Sequence, residues 1–501
     1  MIVSATRVEA QVFAYPPTTV AGNCSALPMT NFFDTPGAPA QGISAQIVPA
    51  SGSLPQYCDV VGYTDDSIKW ELQLPVGSSW NGNFFFDGCG GYCGGLVGDA
   101  IGLGGPLRGI AAGYASASTD MGHPSTAADA LWGWHDFKAR ENYAYLAVHK
   151  VTLSAKAIIG AYYGANPRHS YFVGESSGGG QATIEAERFP NDFDGIVAQQ
   201  PTLNTPGFAT LAWNWADDWF FYNNSGNAVF SIVDVSNIHN AVLAACDALD
   251  GTTDGIIDDP EKCPFKPATL QCGTSANSSW CLSRQQVVSL QNIYRGAHTS
   301  AGQPIFPGQE VGSELAWIGV YVPTTPGSIP FSPIISANSL RFLIIDPAPG
   351  PDYNPRSFNY DTDLSKIAKL YPLYDGANPD LRGFKAHGGK LLITAGWADE
   401  LVLPKTTVNF YKAVVAFFGG PHNVAPFVRL FMTPGMYHGA PTTIAPNSPQ
   451  FYDPLGIISN WVEHGTAPNS LVVTQYNAEG QAGSTRTLFP YPMEPAGYKG
   501  S

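Results

Sequence analysis

The stretch from Ser170 to Arg188 reads SYFVGESSGGGQATIEAER and decides the fold. Its first four residues are an apolar run that predicts a buried strand, and Gly180–Arg188 predicts a helix. Between the two, Gly174–Gly178 has the pattern G-x-S-x-G. A serine on such a sharp strand-to-helix turn exposes its hydroxyl at the carboxyl edge of a parallel sheet. The stretch therefore predicts an α/β fold with Ser176 as a nucleophile.

Short strands and helices alternate on both sides of this stretch, as in a parallel α/β sheet. Strands are predicted at Asn83–Phe86, Ala112–Ser116, Ser170–Val173, Gly195–Ala198, Lys390–Ala395 and Val428–Met432. Further helices are predicted at Glu141–Tyr163, Lys405–Phe418 and Gln450–His464. Beyond Gln200 the chain becomes rich in Trp, Tyr and Cys and loses the alternation. We therefore predict a core domain formed by residues 1–204 and 345–501, with a second domain inserted at 205–344.

A candidate acid and a candidate base follow the serine, each after a predicted strand. Asp399 follows KLLITA within GWAD, and His438 follows VRLFM within PGMYHG. In folds with this serine turn the triad partners occur in the order serine, acid, histidine, so the pair satisfies both order and placement. Glu400 is the alternative acid. His387 and His464 are weaker alternatives because one precedes a strand and the other lies late on a helix.

Backbone N–H groups that can stabilise an oxyanion are predicted at two places. Ser177 begins the helix after the nucleophile, where backbone N–H groups point outward. The second donor should come from a glycine-rich loop after an early strand, and Gly88–Gly94 (GCGGYCG), shortly after NFFF, is such a loop. We assign this donor to Gly90 or Gly91. The loop also fits a tight turn closed by a bridge between its two cysteines, and the two interpretations are compatible.

The composition excludes several classes of protein. With 501 residues, 44% of them hydrophobic, the chain cannot be disordered as a whole. The 25 Lys and Arg against 40 Asp and Glu give a net charge of −15, which argues against a nucleic acid or an anionic membrane as partner. No segment approaches the ~20 consecutive apolar residues of a membrane-spanning helix.

The cysteines and glycosylation motifs indicate an oxidising compartment. The eight cysteines are even in number and clustered in pairs, as in disulfide-bonded secreted proteins. Asn-x-Ser sequons occur at Asn23, Asn223 and Asn277 and favour a secreted glycoprotein. Residues 1–22 lack the apolar stretch of a signal peptide. We therefore expect a secreted, mature chain whose leader has been removed.

A Gly-rich loop in the 205–344 segment carries three aspartates. Asp247, Asp250 and Asp254 lie at offsets 0, 3 and 7, and closely spaced hard oxygen donors suit Ca²⁺. The spacing alone favours an acidic surface turn, because it differs from that of an EF-hand.

Aromatic residues are concentrated in the same segment. They form the core of the inserted domain, which is the more usual case, or they line a flat aromatic pocket. The residues concerned are Trp213, Trp215, Trp219, Phe220, Phe221 and Tyr222.

In combination these segments resemble the tannase and feruloyl esterase family of α/β-hydrolases. Residues 174–198, GESSGGGQATIEAERFPNDFDGIVA, are similar to that family's nucleophile region almost throughout. GGKLLITAGWADELV and PGMYHG resemble its acid and histidine segments. The resemblance implies an α/β-hydrolase fold with a large inserted lid domain, and Ser176, Asp399 and His438 as the triad.

The resemblance also implies a structural Ca²⁺ in the lid, because the Cys246–Cys263 loop resembles the family's calcium site. This reverses the interpretation of the loop as a surface turn, and no organic cofactor is expected. The implied calcium ligands are the side chains of Asp247, Asp250 and Asp254 and the carbonyls of Thr252 and Ile256. The implied disulfides are Cys24–Cys58, Cys246–Cys263 and Cys272–Cys281, with Cys89–Cys93 added as a fourth.

The chain departs from the family pattern beside the triad. Typical members have a cysteine directly before the catalytic serine and another directly after the catalytic histidine, joined as a disulfide. Here the two places hold Glu175 and Gly439. One interpretation is that Glu175 fills the volume of the missing bridge. The other is that its negative charge favours the imidazolium and raises the pKa of His438.

The resemblance implies a serine-dependent carboxylic ester hydrolase that acts on aromatic or phenolic esters. We expect a monomer or homodimer that acts on a small-molecule ester. One alternative is a specialised biosynthetic hydrolase that cleaves a lactone, an aryl ester or a carbon–carbon bond beside a carbonyl, with Glu175 assisting. Another is a catalytically silent, calcium-stabilised binding protein. The intact order of serine, aspartate and histidine argues against the silent protein.

Overall fold

The computed structural model describes residues 22–65, 67–96, 105–221, 227–273, 280–439, 449–450, 453–476 and 481–493. Their strands are β1 (Ala40–Val48), β2 (Tyr57–Thr64), β3 (Ile68–Pro75), β4 (Phe84–Asp87), β5 (Ala115–Thr119), β6 (Ser170–Glu175), β7 (Gly195–Gln199), β8 (Lys390–Gly396), β9 (Val428–Thr433), β10 (Pro449–Gln450), β11 (Leu471–Tyr476) and β12 (Ala482–Leu488).

The α-helices are α1 (Gly105–Ala111), α2 (Phe137–Glu141), α3 (Ala147–Tyr163), α4 (Ser177–Arg188), α5 (Thr205–Gly207), α6 (Trp215–Phe220), α7 (Ile232–Cys246), α8 (Arg284–Arg295), α9 (Phe331–Phe342), α10 (Leu364–Ala368), α11 (Tyr371–Tyr374), α12 (Arg382–His387), α13 (Pro404–Phe417), α14 (Pro421–Val424) and α15 (Pro454–His464). Two π-helical segments span Asn142–Leu146 and Phe208–Asn214. Short 3-10 helices span Cys24–Met29, Gly77–Ser79, Leu131–Gly133, Asp247–Asp250, Pro260–Lys262, Pro267–Leu270, Glu314–Trp317 and Pro355–Ser357.

The main sheet has the strand order β1-β2-β3-β5-β4-β6-β7-β8-β9 among the described residues. Six neighbouring strands of this sheet run parallel, in the order β5, β4, β6, β7, β8 and β9. Strands β1, β2 and β3 extend the β5 edge as antiparallel strands. Every residue of β4, β5 and β7 is buried, as expected for parallel strands covered on both faces. The carboxyl ends of β6, β8 and β9 therefore meet at one edge of a rigid sheet.

The predicted parallel strands are present, and one of them is displaced. The predicted strand Ala112–Ser116 begins instead at Ala115, because α1 continues to Ala111 and Gly113 makes a turn with φ of 81°. The sequence analysis placed no strand at β1, β2, β3, β10, β11 or β12. Strand β1 lies at a solvent-exposed sheet edge and buries little of its length. The predicted helix Glu141–Tyr163 is interrupted by the first π-helical segment.

The chain leaves the sheet after β7 and returns to the neighbouring strand β8, where Gly195 pairs with Lys390. Buried apolar residues of this intervening chain, including Phe220 and Trp317, belong to the same hydrophobic cluster as Leu391 in the sheet. The topology is that of an α/β-hydrolase with an insertion after β7. The boundaries at 204/205 and 344/345 stay a prediction.

All eight cysteines are paired, and the predicted disulfides are confirmed. The bridges are Cys24–Cys58, Cys89–Cys93, Cys246–Cys263 and Cys272–Cys281. A disulfide that closes a short loop stabilises the fold mainly by restricting the unfolded chain. Within the described residues, no helix combines the length and hydrophobicity needed to cross a membrane.

The aromatic residues of the insertion lie mainly in its core. Trp213, Trp215, Phe220 and Phe221 are buried. The ring of Phe220 stacks on Tyr321 at a centroid distance of 4.8 Å. Tyr222 lies outside the described residues. The described part of the cluster fits the core interpretation better than the aromatic pocket.

Candidate active site

The turn between β6 and α4 holds Ser176 in a conformation that few non-glycine residues adopt. Its φ of 61° and ψ of −119° are strained for an L-residue, and such strain persists only where the surroundings enforce it. The N–H of Ser176 donates to Gln199 O at 3.0 Å, and its carbonyl accepts from Thr202 N at 2.9 Å. A Cβ on Gly174 would lie 2.3 Å from the carbonyl oxygen of Gly178. The glycines therefore permit the close turn that exposes the serine.

Asp399 and His438, which follow β8 and β9, form a hydrogen-bonded pair. Nδ1 of His438 lies 3.0 Å from Oδ2 of Asp399, whose side chain is fully buried. Oδ1 of the same carboxylate accepts from the amides of Leu401 at 3.0 Å and Val402 at 2.7 Å. The carboxylate is thus fixed by several hydrogen bonds and can orient the imidazole.

Glu400 is also buried, but it contacts the histidine in a different way. Its Oε2 accepts from the backbone N–H of His438 at 3.1 Å. Burial and the neighbouring charge of Asp399 raise the pKa of Glu400 to about 8, because two adjacent carboxylates in a buried site do not ionise together. Glu400 is therefore mostly protonated at neutral pH. The geometry favours Asp399 as the charged partner of the imidazole and Glu400 as a support for the histidine backbone.

Several carboxyl groups act on the imidazole of His438. Burial lowers its pKa, but the charge and hydrogen bond of Asp399 and the carboxyl groups of Glu175 and Glu400 outweigh the burial and raise the pKa to about 9. Glu175 is thus one of the groups that raise the pKa of His438, as the electrostatic interpretation expects. The choice between the two interpretations of Glu175 stays a prediction.

The glycine-rich loop Gly88–Gly94, which we call the oxyanion loop, packs against the nucleophile turn. A Cβ on Gly88 would lie 3.1 Å from the Cα atoms of both Gly174 and Gly178. The remaining amides in the middle of the loop are already used: those of Cys89, Tyr92 and Cys93 donate to Gln181, Ala127 and Gly90. Gly90 and Gly91 therefore remain the candidate donors. Ser177 is the first residue of α4, where helix N–H groups have no partner within the helix, so its amide remains the other candidate donor.

Gln200 is a residue beside the candidate triad that the sequence analysis missed. Its Nε2 donates to the carbonyl of Tyr437 at 3.0 Å, directly before His438, and its own N–H donates to Thr394 O at 2.7 Å. The side chain is fully buried. A signal existed, because Gln200 follows a buried parallel strand at the edge where the triad assembles. Gln200 therefore connects the end of β7 to the residue before His438.

Side chains of the insertion donate hydrogen bonds to the acid loop, residues 399–402. Trp213 Nε1 donates to the carbonyl of Leu401 at 2.8 Å. The carbonyl of Glu400 accepts from Gln309 Nε2 at 2.8 Å and from the hydroxyl of Tyr321 at 3.0 Å. The position of the loop that carries Asp399 thus depends on side chains that lie far away in the sequence.

The predicted calcium ligands share one loop after α7, but each carboxylate has other partners here. Asp247 accepts from the amides of Asp254 and Gly255 at 3.1–3.2 Å. Asp250 accepts from the N–H and the hydroxyl of Thr252, both at 2.8 Å. These are turn-forming hydrogen bonds, and they hold the loop in a compact shape.

The third predicted carboxylate, that of Asp254, forms an ion pair with an arginine. Asp254 Oδ2 accepts from Arg486 Nη2 at 2.6 Å, and Arg486 also pairs with Asp258. Within the described chain, no three acidic, histidine or cysteine side chains converge as metal ligands. The donor chemistry fits Ca²⁺, whereas the arrangement does not yet form a coordination shell. Oδ2 of Asp254 bonds Arg486, and its Oδ1 accepts from the amide of Ile256.

The same acidic loop contacts the histidine segment. A Cβ on Gly435 would lie 3.0 Å from Cγ2 of Ile256. The acidic loop therefore packs against the chain three residues before His438.

Comparisons with known proteins identify the family of this chain. Residues 52–501 match the family model described as tannase and feruloyl esterase. An uncharacterised esterase of Xanthomonas campestris is 31% identical over 93% of this chain and 86% of its own. A probable feruloyl esterase of Arthroderma benhamiae is 31% identical over 87% of this chain and 81% of its own. An esterase from Aspergillus oryzae of known structure shares the fold, with a TM-score of 0.78 at 23% identity over 94% of this chain and 96% of that one. The protein is therefore a carboxylic ester hydrolase that belongs to the tannase and feruloyl esterase family.

Proposed function

We propose that this chain hydrolyses esters of aromatic acids through an acyl-enzyme on Ser176. The observation that carries the proposal is the 3.0 Å contact between His438 and the buried Asp399 beside a strained serine turn. The family and the similarity to a probable feruloyl esterase support the aromatic acyl group. No observation favours the biosynthetic alternative or the silent binding protein.

The proposed reaction is acyl transfer to water in two steps. His438 accepts the proton of the Ser176 hydroxyl as its oxygen attacks the ester carbonyl, and Asp399 stabilises the imidazolium. The amides of Ser177 and of Gly90 or Gly91 stabilise the oxyanion. His438 then donates its proton to the leaving alcohol. Water attacks the acyl-enzyme by the same route, so that the products are the free acid and the alcohol.

The substrate class is tested by hydrolysis of a mixed panel followed by mass spectrometry. The panel contains feruloyl, galloyl, benzoyl and acetyl esters together with aryl lactones. We expect the aromatic acyl esters to be turned over faster than the acetyl esters. Preferential hydrolysis of acetyl esters would contradict the aromatic specificity, and hydrolysis of the lactones alone would support the alternative substrate class.

Replacing Glu175 by glutamine is expected to shift the pH dependence of the reaction. His438 acts as a base only when neutral, so kcat/KM rises with pH through its pKa. The negative charge of Glu175 raises that pKa. Its loss should lower the pKa and move the acid limb of the kcat/KM profile to lower pH.

The matched control for this shift is Glu187→Gln. Glu187 lies on α4 and binds Asn378 at 2.8 Å, about 16 Å along the helix from the serine. Loss of the Glu187 charge should leave the pH dependence of kcat/KM unchanged. An unchanged profile in Glu175→Gln would reduce Glu175 to a residue that only fills space.

We further propose that the enzyme is secreted, glycosylated and calcium-stabilised, and acts as a monomer or homodimer on small-molecule esters. The disulfides support an oxidising compartment. Asn23 is exposed beside the Cys24–Cys58 bridge, where a glycan has room. The other two sequons, at Asn223 and Asn277, lie outside the described residues. Residues 205–344 are proposed as the lid.

Calcium binding by the acidic loop is tested by thermal unfolding. Stabilisation by a ligand grows with its concentration relative to Kd and reaches ~2.7 kcal/mol at 100 times Kd. We expect CaCl2 to raise Tm above the value in EGTA, MgCl2 to raise it less, and Asp250→Asn to abolish the response. Equal Tm values in EGTA and CaCl2 would show that the loop works without an ion.

A further inference from the structure

The direction of each amide in the oxyanion loop is set by the peptide that carries it. The N–H of Gly90 belongs to the same peptide plane as the carbonyl of Cys89. A donor stabilises the oxyanion only if it points at the position that the negative oxygen will occupy. Whatever binds the Cys89 carbonyl therefore also aims the Gly90 amide.

Gln181 binds this peptide from the nucleophile helix. It lies one turn after Ser177 on α4, and its side chain is buried. Its Nε2 donates to the Cys89 carbonyl at 3.4 Å, and its Oε1 accepts from the Cys89 N–H at 3.3 Å. The same Nε2 lies 3.3 Å and 3.5 Å from the sulfurs of the Cys89–Cys93 bridge. One side chain thus connects the helix to the backbone and to the disulfide of the oxyanion loop.

Tyr143 makes a second connection between the two halves of the site. Its hydroxyl donates to the carbonyl of Gly91 at 3.2 Å and is hydrogen-bonded to the side chain of Ser177. Tyr143 belongs to the π-helical segment Asn142–Leu146, and such turns often occur at functional sites. Burial raises the pKa of Tyr143 to about 12, so the phenol keeps its proton and remains a donor.

We propose that Gln181 and Tyr143 are positioning residues that hold the oxyanion loop at a fixed distance from the start of α4. Gln181 acts on the peptide that carries the Gly90 amide. Tyr143 connects the next residue of the loop, Gly91, to the side chain of Ser177. Neither residue needs to touch the substrate. The inference deepens the proposed function and rests on it, because it requires a serine mechanism with an oxyanion in this place.

The test compares Tyr143→Phe and Gln181→Met with wild type, using phenylboronic acid as the probe. The oxygen of Ser176 bonds to the boron atom of a boronic acid. The adduct is a tetrahedral anion that resembles the intermediate. Since small displacements of a donor weaken transition-state binding more than substrate binding, we expect kcat to fall about tenfold or more in each variant. The Ki of phenylboronic acid should rise by the same factor. KM and inhibition by the product acid should stay near the wild-type values.

Two buried residues nearby serve as matched controls. Tyr374 packs 6.2 Å from the ring of Tyr143, and Thr183 on α4 donates to the Gly180 carbonyl at 2.9 Å. Tyr374→Phe and Thr183→Val remove buried hydroxyls of similar environment. Both controls should keep the wild-type kcat and Ki.

Two outcomes would overturn the inference. One is an unchanged kcat and Ki in both Tyr143→Phe and Gln181→Met. The other is a parallel rise of KM, product inhibition constant and boronate Ki with a lower Tm, which would describe a general loss of structure. Turnover in Ser176→Ala would instead refute the serine mechanism, so the two failures are distinguishable.

Discussion

Replacing Ser176 by alanine is expected to lower kcat by about 10⁶-fold, the largest effect of any single change in this chain. The hydroxyl is the atom that forms the acyl-enzyme, and no other group can take its place in that step. Rates of hydrolysis of the best ester in the panel measure the loss. Labelling by a serine-directed phosphonate should disappear in the same variant.

A glycine at the same position separates catalysis from stability. Ser176→Ala keeps a Cβ at φ of 61°, whereas Ser176→Gly removes the steric cost of that conformation. Both variants should be inactive, but only the glycine variant should unfold at a higher temperature than wild type. Retained turnover or labelling in either variant would assign the nucleophile elsewhere. A lower Tm for the glycine variant would mean that the serine turn is not strained.

The second large effect is expected for Asp399→Asn, with a loss of about 10⁴-fold in kcat. The amide keeps the shape of the carboxylate but cannot stabilise the imidazolium, and it favours the wrong tautomer of His438. Without the Asp399 charge the pKa of His438 should fall well below its wild-type value of about 9. The residual activity should therefore titrate at lower pH.

Glu400→Gln is the matched comparison for Asp399→Asn. Glu400 is mostly protonated at neutral pH because of its pKa of about 8, so a neutral amide resembles its resting state. The glutamine oxygen can still accept from the His438 N–H, and kcat should fall by no more than about tenfold. A loss in Glu400→Gln as large as that in Asp399→Asn would exchange the roles of the two carboxyl groups.

The sequence was informative where chemistry depends on local pattern. Ser176, Asp399 and His438 each follow a short apolar strand, and the carboxyl ends of parallel strands meet at one edge, so the three positions could be predicted without coordinates. The glycine-rich loop was found in the same way. Its Cys89–Cys93 bridge joins residues close in sequence, which made it a plausible pair.

The sequence alone could not predict which residues from distant parts of the chain contact each other. Trp213 and Leu401 are separated by 188 positions, and nothing in either segment indicates that the indole meets that carbonyl. Gln181 resembles any polar helical residue until the oxyanion loop is packed against it. The sheet-edge strand β1 escaped prediction because its burial pattern lacks a clear apolar face.

The three donors that the insertion directs at the acid loop have a consequence for protein engineering. Trp213, Gln309 and Tyr321 donate to the carbonyls of Glu400 and Leu401, so the insertion supports the loop that carries Asp399. A chimera that exchanges this segment with that of a relative, in order to change specificity, must carry equivalent donors. Otherwise it will lose turnover even if its new pocket binds the substrate well.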